Sequence, residues 1–573
     1  MWKLLKYLKK YLKETIIAPF FKVLEVCFEL LTPIVIASVI DNGIALGDKG
    51  HILKMCGILA VLAVVGLSCT LVAQYYAAKA SVGFCTDIRS ALFRHIGKLS
   101  YSKTDKIGTS TLITRLTGDL NQVQTGVNLT LRLLLRSPFV VFGAMLMAFI
   151  VDPKAALTFL WVIPLLTLVI FGVMLISIPL YKAVQQALDG VLSKTNENLR
   201  GVRVIRAFVK ENEEIYEFEN KNSLLYSLQT RVGKISSILN PATVIIINIG
   251  IAVLIYNGAL DVKAGGLTKG EVVALYNYMS QILVELIKLA NLIINITKSI
   301  ACGNRIQAVF ETETENDTGK ALENTSEYAV EFNNVTLKYS KNADPALKNI
   351  DFKIKKGETV GIIGATGSGK SSLINLIPRF YEATGGTVKV NGTDVREQSL
   401  SALRKTIGIV PQKAVLFKGT VRENMLVSAP DATDEMINTA LKAAQGYDTV
   451  YDKKGGLDFE IEQEGKNLSG GQKQRLTIAR ALLRKPEILI LDDSSSALDY
   501  ATDAALRTAL KNLDFETTVI IVSQRASALR HADKIIVLDN GEIAAIGTDE
   551  ELKDTCDIYR EIRRTQFTEK EGE

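Results

Sequence analysis

The chain is short of histidine, has no CxxC pair among its cysteines and has no strongly basic domain, and the last two shortages each remove a class of function. The six cysteines, at 27, 56, 69, 85, 302 and 556, are spaced for neither a redox motif nor a metal site. Structural, reduced cysteines are expected. A net charge of +6 is modest for 573 residues, with Lys and Arg dispersed among acidic residues, which argues against nucleic acid as a partner. The three histidines are His51, His95 and His531.

Apolar residues are abundant instead, at 48 % of the chain, and unevenly spread. Long apolar runs fill roughly the first 300 residues, after which strand-like, helical and glycine-turn segments alternate. The fold class expected is a membrane α-helical bundle of six transmembrane helices with long cytoplasmic extensions, fused to an α/β P-loop nucleotide-binding domain. Its domains are a membrane domain at 1–310, a linker at 311–327 and a soluble domain at 328–573. Six runs reach the roughly 20 apolar residues that a membrane helix needs, near 16–40, 54–81, 128–150, 155–181, 236–260 and 272–300.

Arg89, Arg94, Lys98, Lys103, Lys106 and Arg115 follow the second run, and Lys194, Arg200, Arg203, Arg206 and Lys210 follow the fourth. Both connections, and with them the N-terminus, are expected in the cytoplasm. Each is about 50 residues long and keeps a helical apolar period, so the membrane helices should continue as stalks. Turns near Thr104–Leu112 and Gly201–Phe208 would then meet a soluble domain; ordinary surface loops are the alternative. Before the first run, Leu4, Leu5, Leu8 and Leu12 share one helical face while Lys3, Lys6, Lys9, Lys10 and Lys13 lie elsewhere. That pattern reads as an interfacial helix on the inner leaflet. A cleaved signal peptide is disfavoured by Lys22 and Glu25 in the run that follows.

In the sixth run Gln281, Glu285, Lys288, Asn291 and Asn295 recur at spacings that place them on one side of a helix. Either they face a polar cavity that takes cargo, or they glue neighbouring helices, with Glu285 and Lys288 neutralising one another. Glu25 and Asn248 stand alone as weaker candidates. Arg132 and Arg136, near the cytoplasmic end of the third run, are expected to snorkel.

In the soluble half, the strand-like ETVGIIG runs directly into GATGSGKSS and then the apolar LINLI. Strand, glycine loop and helix in that order form a phosphate cradle. Gly364, Gly367 and Gly369 admit phosphates to backbone N–H groups, with Thr366, Ser368 and Ser372 in the same loop and helix start. Lys370 reaches the β and γ oxygens, and Ser371 ligates Mg²⁺. A second element, the apolar strand EILILDD, ends in Asp492, placed to hold the same Mg²⁺. ATP with Mg²⁺ is the expected cofactor.

Between these two elements stands LSGGQ, from Leu468 through Ser469, Gly470 and Gly471 to Gln472. Here the chain resembles the ATP-binding cassette family over essentially its whole length. The resemblance implies that Tyr339 stacks on adenine, that Gln412 senses Mg²⁺ and the membrane half, and that Ser496–Asp499 crosses a dimer interface. Six spans followed by one cassette are similar to an exporter half-transporter in the plasma membrane, here of bacterial type with the cassette cytoplasmic. Two such chains would sandwich two ATP molecules, each held by the phosphate loop of one cassette and the signature of the other.

Two positions depart from the family pattern. Asp493 stands where the family usually has a glutamate base, and one fewer methylene withdraws the carboxylate by roughly 1 Å, enough to cost about 10²-fold in rate. Gln524 stands where a histidine usually contacts the γ-phosphate, and an amide can donate a hydrogen bond but shuttles no proton. None of the three histidines replaces it. ATP binding with slow hydrolysis is expected, in a chain resembling the degenerate-site subunit of heterodimeric multidrug-type exporters. The expected cargo is an amphipathic drug, lipid or peptide, and the alternatives are an ATP-gated regulatory subunit or a slow homodimer.

Overall fold

A computed structural model describes residues 2–315, 317, 319, 326–340, 342–494 and 496–566. The chain divides into two compact units, Met1–Gly97 with Ile107–Thr312, and Lys98–Lys106 with Glu313–Glu573. The division does not follow the expected boundaries throughout. Nine residues of the first cytoplasmic connection, Lys98–Lys106, belong to the soluble unit.

Six helices in the first unit are long and apolar enough to cross a membrane: Lys3–Ile44, Lys49–Ile96, Thr109–Val151, Pro153–Ala207, Glu211–Lys263 and Lys269–Phe310. The longest has 55 residues, which at 1.5 Å per residue is roughly 80 Å against a hydrocarbon core of about 30 Å. Much of each helix therefore projects beyond the bilayer, as the stalk reading required. The breaks between spans are set by local chemistry. Asp152 accepts from the N–H groups of Lys154 and Ala155 at 3.2 and 2.9 Å with Pro153 in the first turn, opening the fourth span. Thr268 and Glu271 form a reciprocal capping box that opens the sixth.

The core of this unit collects Val26, Leu30, Ala144, Phe159, Leu254 and Met279. Tyr278 is fully buried with them and its hydroxyl donates to the Leu30 carbonyl at 2.6 Å, so the large ring is buried without an unmet polar group. The basic N-terminal segment runs as helix into the first span. Leu4 is buried, the lysines are exposed, and Lys10 pairs with Asp87 at 3.2 Å.

The soluble unit contains strands β1 Tyr328–Leu337, β2 Leu347–Lys355, β3 Thr359–Ile363, β4 Gly385–Val390, β5 Thr393–Asp394 and β6 Ile407–Val410. They are followed by β7 Gly419–Thr420, β8 Glu460–Ile461, β9 Ile488–Asp492, β10 Thr518–Val522, β11 Lys534–Asp539 and β12 Glu542–Gly547. A six-stranded sheet has the order β12-β11-β3-β10-β9-β6, parallel except at the β12 edge, and β2-β1-β4-β5 form a separate antiparallel sheet. Runs such as Ile488–Leu491 and Val519–Val522 are buried along their length, which is what a parallel strand covered on both faces demands. In register, Val522 lies opposite both Asp492 and Ile362. Three strand ends, the first of them more than a hundred residues away in sequence from the other two, thus sit side by side.

Of the expected linker at 311–327, residues 316, 318 and 320–325 lie outside the described residues. The described part is anchored at both Glu315 and Asp317. Glu315 pairs with Arg404 through two bonds of 2.8 and 2.9 Å and donates its N–H to the Lys98 carbonyl at 2.8 Å. Asp317 accepts from the Leu400 N–H at 2.6 Å and the Ser399 hydroxyl at 2.8 Å. Those bonds hold its carboxyl below the usual range, the Ser399 bond most of all.

Candidate nucleotide site and membrane charge cluster

The three adjacent strand ends build one cavity of about 430 Å³. The phosphate loop leaves the end of β3, Asp492 closes β9 with Asp493 directly after it, and Ser523 and Gln524 follow β10. The lining brings together Tyr339, Thr366, Gly367, Gly369, Lys370, Ser371, Ser372, Gln412, Asp492, Asp493 and Gln524. Gly364 and Ser368 complete the loop from behind it: a Cβ on Gly364 would lie 2.2 Å from the Leu538 carbonyl oxygen, so the loop can pass there only as glycine. Gly369 caps the helix Lys370–Ile374 at φ 100°, a left-handed conformation that other residues resist.

Lys370 brings the positive charge of the phosphate loop into this cavity. Its Nζ donates to the carbonyls of Gly364 and Ala365 at 2.8 and 2.7 Å, neutral acceptors that an anionic phosphate can displace. Burial pushes its ammonium below the ordinary lysine value, against the pull of Asp493 and Asp492. Asp492 lies 3.5 Å from the Ser371 hydroxyl, and burial followed by the neighbouring Asp493 carboxylate pushes it above the usual range. Asp493 itself adopts φ 45°, tolerable for aspartate. Its N–H donates to Val522, and its carboxylate accepts from the Gln412 amide at 3.4 Å. Tyr339, half-exposed, is the one aromatic ring in the lining among the described residues, and its hydroxyl lies 2.8 Å from that of Ser372.

The signature is built elsewhere. None of Leu468, Ser469, Gly470, Gly471, Gln472 and Asp499 lines this cavity. Leu468 is buried as an anchor, Ser469 and Gln472 form a reciprocal capping box, and the helix Gly470–Leu482 begins in the open, since a Cβ on Gly470 would meet nothing within 4 Å. Asp499 is occupied in capping the helix Tyr500–Lys511.

Residues 15–286 match the family described as ABC transporter transmembrane region, and residues 347–496 match that described as ABC transporter. The uncharacterized ABC transporter ATP-binding protein YfiB of Bacillus subtilis (strain 168) is 35 % identical over 567 residues, covering 99 % of both chains. The chain is an ABC transporter. The transporter is also 32 % identical over 488 residues to an ATP-dependent lipid A-core flippase of Syntrophus aciditrophicus (strain SB), across 84 % of this chain and 80 % of the relative. Its fold matches a solved structure of a bacterial Atm1-family ABC exporter with ATP bound at TM-score 0.81, covering 99 % of each chain at 20 % identity. It is an exporter half-transporter of the bacterial cell membrane, multi-pass, ATP-binding and ATP-hydrolysing.

In the membrane unit of the transporter, the polar stripe of the sixth span divides. Glu285 is 3 % exposed and bonded to Arg136, to Ser137 at 3.0 Å and to Lys288 at 2.7 Å, so it follows the glue reading rather than the cavity reading. Lys288 and Asn291 are exposed, Asn295 donates to the Asn291 carbonyl at 2.9 Å, and Gln281 keeps a buried oxygen without a hydrogen-bond partner. Arg136 does not snorkel: it is buried, and it also bonds Glu29 at 2.8 Å. Glu25 is not alone either, pairing with Lys22 at 2.6 Å and lying 3.9 Å from Arg136. A readable signal for this cluster existed in Glu25 and Glu29, one helical turn apart.

The first connection meets the cassette through Tyr101, just before the expected Thr104–Leu112 turn and stacked on Phe380 at 4.9 Å, and through Asp105 within that turn, bonded to Tyr381 at 2.5 Å. Nothing in the spacing of Phe380 and Tyr381 announced that role. At the second turn, Phe208 and Val209 are exposed.

Proposed function

We propose that this transporter is the degenerate-site half of a heterodimeric exporter: it holds one ATP for long periods and lends its signature to the catalytic site of a second half-transporter. The observation that carries the reading is the contrast within one cassette. Asp493 and Gln524 occupy the base and switch positions of its cavity, whereas Ser469–Gln472 form an intact helix start that is open to an ATP held by another chain. Gln412 already bonds the shortened Asp493 carboxylate, which further limits its freedom to orient an attacking water.

Binding keeps its parts. Ser371, Asp492 and the amide oxygen of Gln412 offer a hard oxygen donor set that fits Mg²⁺, and two adjacent carboxylates favour a cation beside them. Bound there, Mg²⁺ supplies charge neutralisation to the phosphates. The half-exposed Tyr339 ring at the rim suits a planar base lying beyond the cradle. An amphipathic cargo such as a lipid, drug or peptide is consistent with the similarity to a lipid A-core flippase. Lys288, Asn291 and Asn295 supply the polar contacts.

The test is ATP hydrolysis by the chain purified alone in lipid nanodiscs. The expected result is saturable ATP binding with slow turnover, raised about 10²-fold by Asp493→Glu combined with Gln524→His. Full, substrate-stimulated hydrolysis by the unaltered chain alone would overturn the proposal.

A further inference from the structure

Tyr339 lines two cavities. One is the phosphate-loop cavity; the other, of about 460 Å³, is also lined by Ser100, Ser102 and Lys103 of the connection between the second and third spans, and by Tyr381. The Tyr339 ring meets Tyr381 edge-on, with centroids 5.1 Å apart and planes at 89°. The Tyr381 hydroxyl donates to the Asp105 carboxylate at 2.5 Å. Two contacts therefore separate the ring at the nucleotide rim from the helix Tyr101–Ile107.

The neighbouring contacts fasten that helix without involving the nucleotide. Tyr101 stacks on Phe380 with planes at 20°, the Arg404 guanidinium lies 5.3 Å from the Phe380 ring, and Arg404 is held by Glu315. The Tyr381 bond is different in kind. It leads back to the half-exposed ring at the nucleotide rim, whose hydroxyl lies 2.8 Å from that of Ser372 in the phosphate-loop helix. Tyr381 is also a dependable donor: burial, and then Asp105, push its hydroxyl above the ordinary tyrosine value, so it stays protonated at neutral pH.

We propose that Tyr381 is a positioning residue that transmits the seating of a purine base on Tyr339 to Asp105, and so to the Lys98–Lys106 turn joining the second and third spans. The inference rests on the reading of Tyr339 as the base platform. It does not depend on how fast the site at Asp493 turns over, because occupancy alone sets the ring. Phosphates held without a base would fill the cradle and leave the turn as it was.

Hydrogen exchange of residues 98–106 in the full chain in phospholipid nanodiscs tests this, with Mg·ATP and Mg·tripolyphosphate as probes. ATP is expected to slow exchange at the turn about fivefold more than tripolyphosphate, the factor associated with securing one hydrogen bond. Tyr381→Phe keeps the ring, and Asp105 is exposed, so Y381F and D105A should both fold and bind ATP within about twofold of the unaltered chain. Both are expected to lose the ATP-specific protection. Protection that persists in both variants would overturn the relay while leaving the platform intact. Equal affinity for ATP and tripolyphosphate, unchanged by Y339A, would overturn the platform and the inference with it.

Discussion

Lys370 in the cassette and Arg136 in the membrane unit are both cations withdrawn from water, yet their surroundings differ in a way that separates function from architecture. Lys370 rests on two backbone carbonyls, partners that carry no charge and lose little when a phosphate arrives. Arg136 is gripped by carboxylates from the first and sixth spans, Glu29 and Glu285, with Glu25 close by. A cation left with neutral partners is available to a ligand; one surrounded by opposite charge is committed to the fold.

That contrast can be broken at its stronger end first. Arg136→Leu leaves Glu285 buried with Lys288 and the Ser137 hydroxyl for compensation, and removal of one partner of a buried pair costs about 3 to 5 kcal/mol. A large loss of thermal stability in detergent is expected, with ATP affinity of the folded fraction unchanged. Lys370→Ala should do the reverse, weakening ATP binding by about 10²-fold through a lost charged hydrogen bond while the melting temperature barely moves. The smallest effect sharpens the comparison rather than breaking it. Arg136→Lys keeps the charge but loses the fork that reaches Glu285 and Glu29 together, at a cost of about 1 to 2 kcal/mol, measured as a modest drop in melting temperature. Equal destabilisation by the Leu and Lys variants would mean that geometry, not charge, dominates the cluster.

The same contrast explains what could be read from the sequence. The phosphate loop, Asp492 and the signature each lie in one short segment whose local geometry dictates its residues, so their spacing announces them. Their assembly was legible as well, because a phosphate loop with its Ser371 and a strand ending in Asp492 are two halves of one Mg²⁺–phosphate site. The Arg136 cluster draws on three helices far apart in sequence, and periodicity places a residue on a face without saying which helix that face meets. Glu285 was visible as a polar residue in a span, but its partner was not. The Tyr339–Tyr381–Asp105 contacts were hidden for the same reason, since the turn contributes from more than 200 residues away and aromatic residues carry no spacing signal of their own.

The length of the spans has a mechanical consequence. A rod of roughly 80 Å, such as Pro153–Ala207, that pivots by about 5° about one end sweeps its tip through roughly 7 Å, more than one helical turn. Span length therefore acts as gearing: an angular change too small to disturb side-chain packing near the pivot becomes a displacement at the far end large enough to exchange one set of contacts for another.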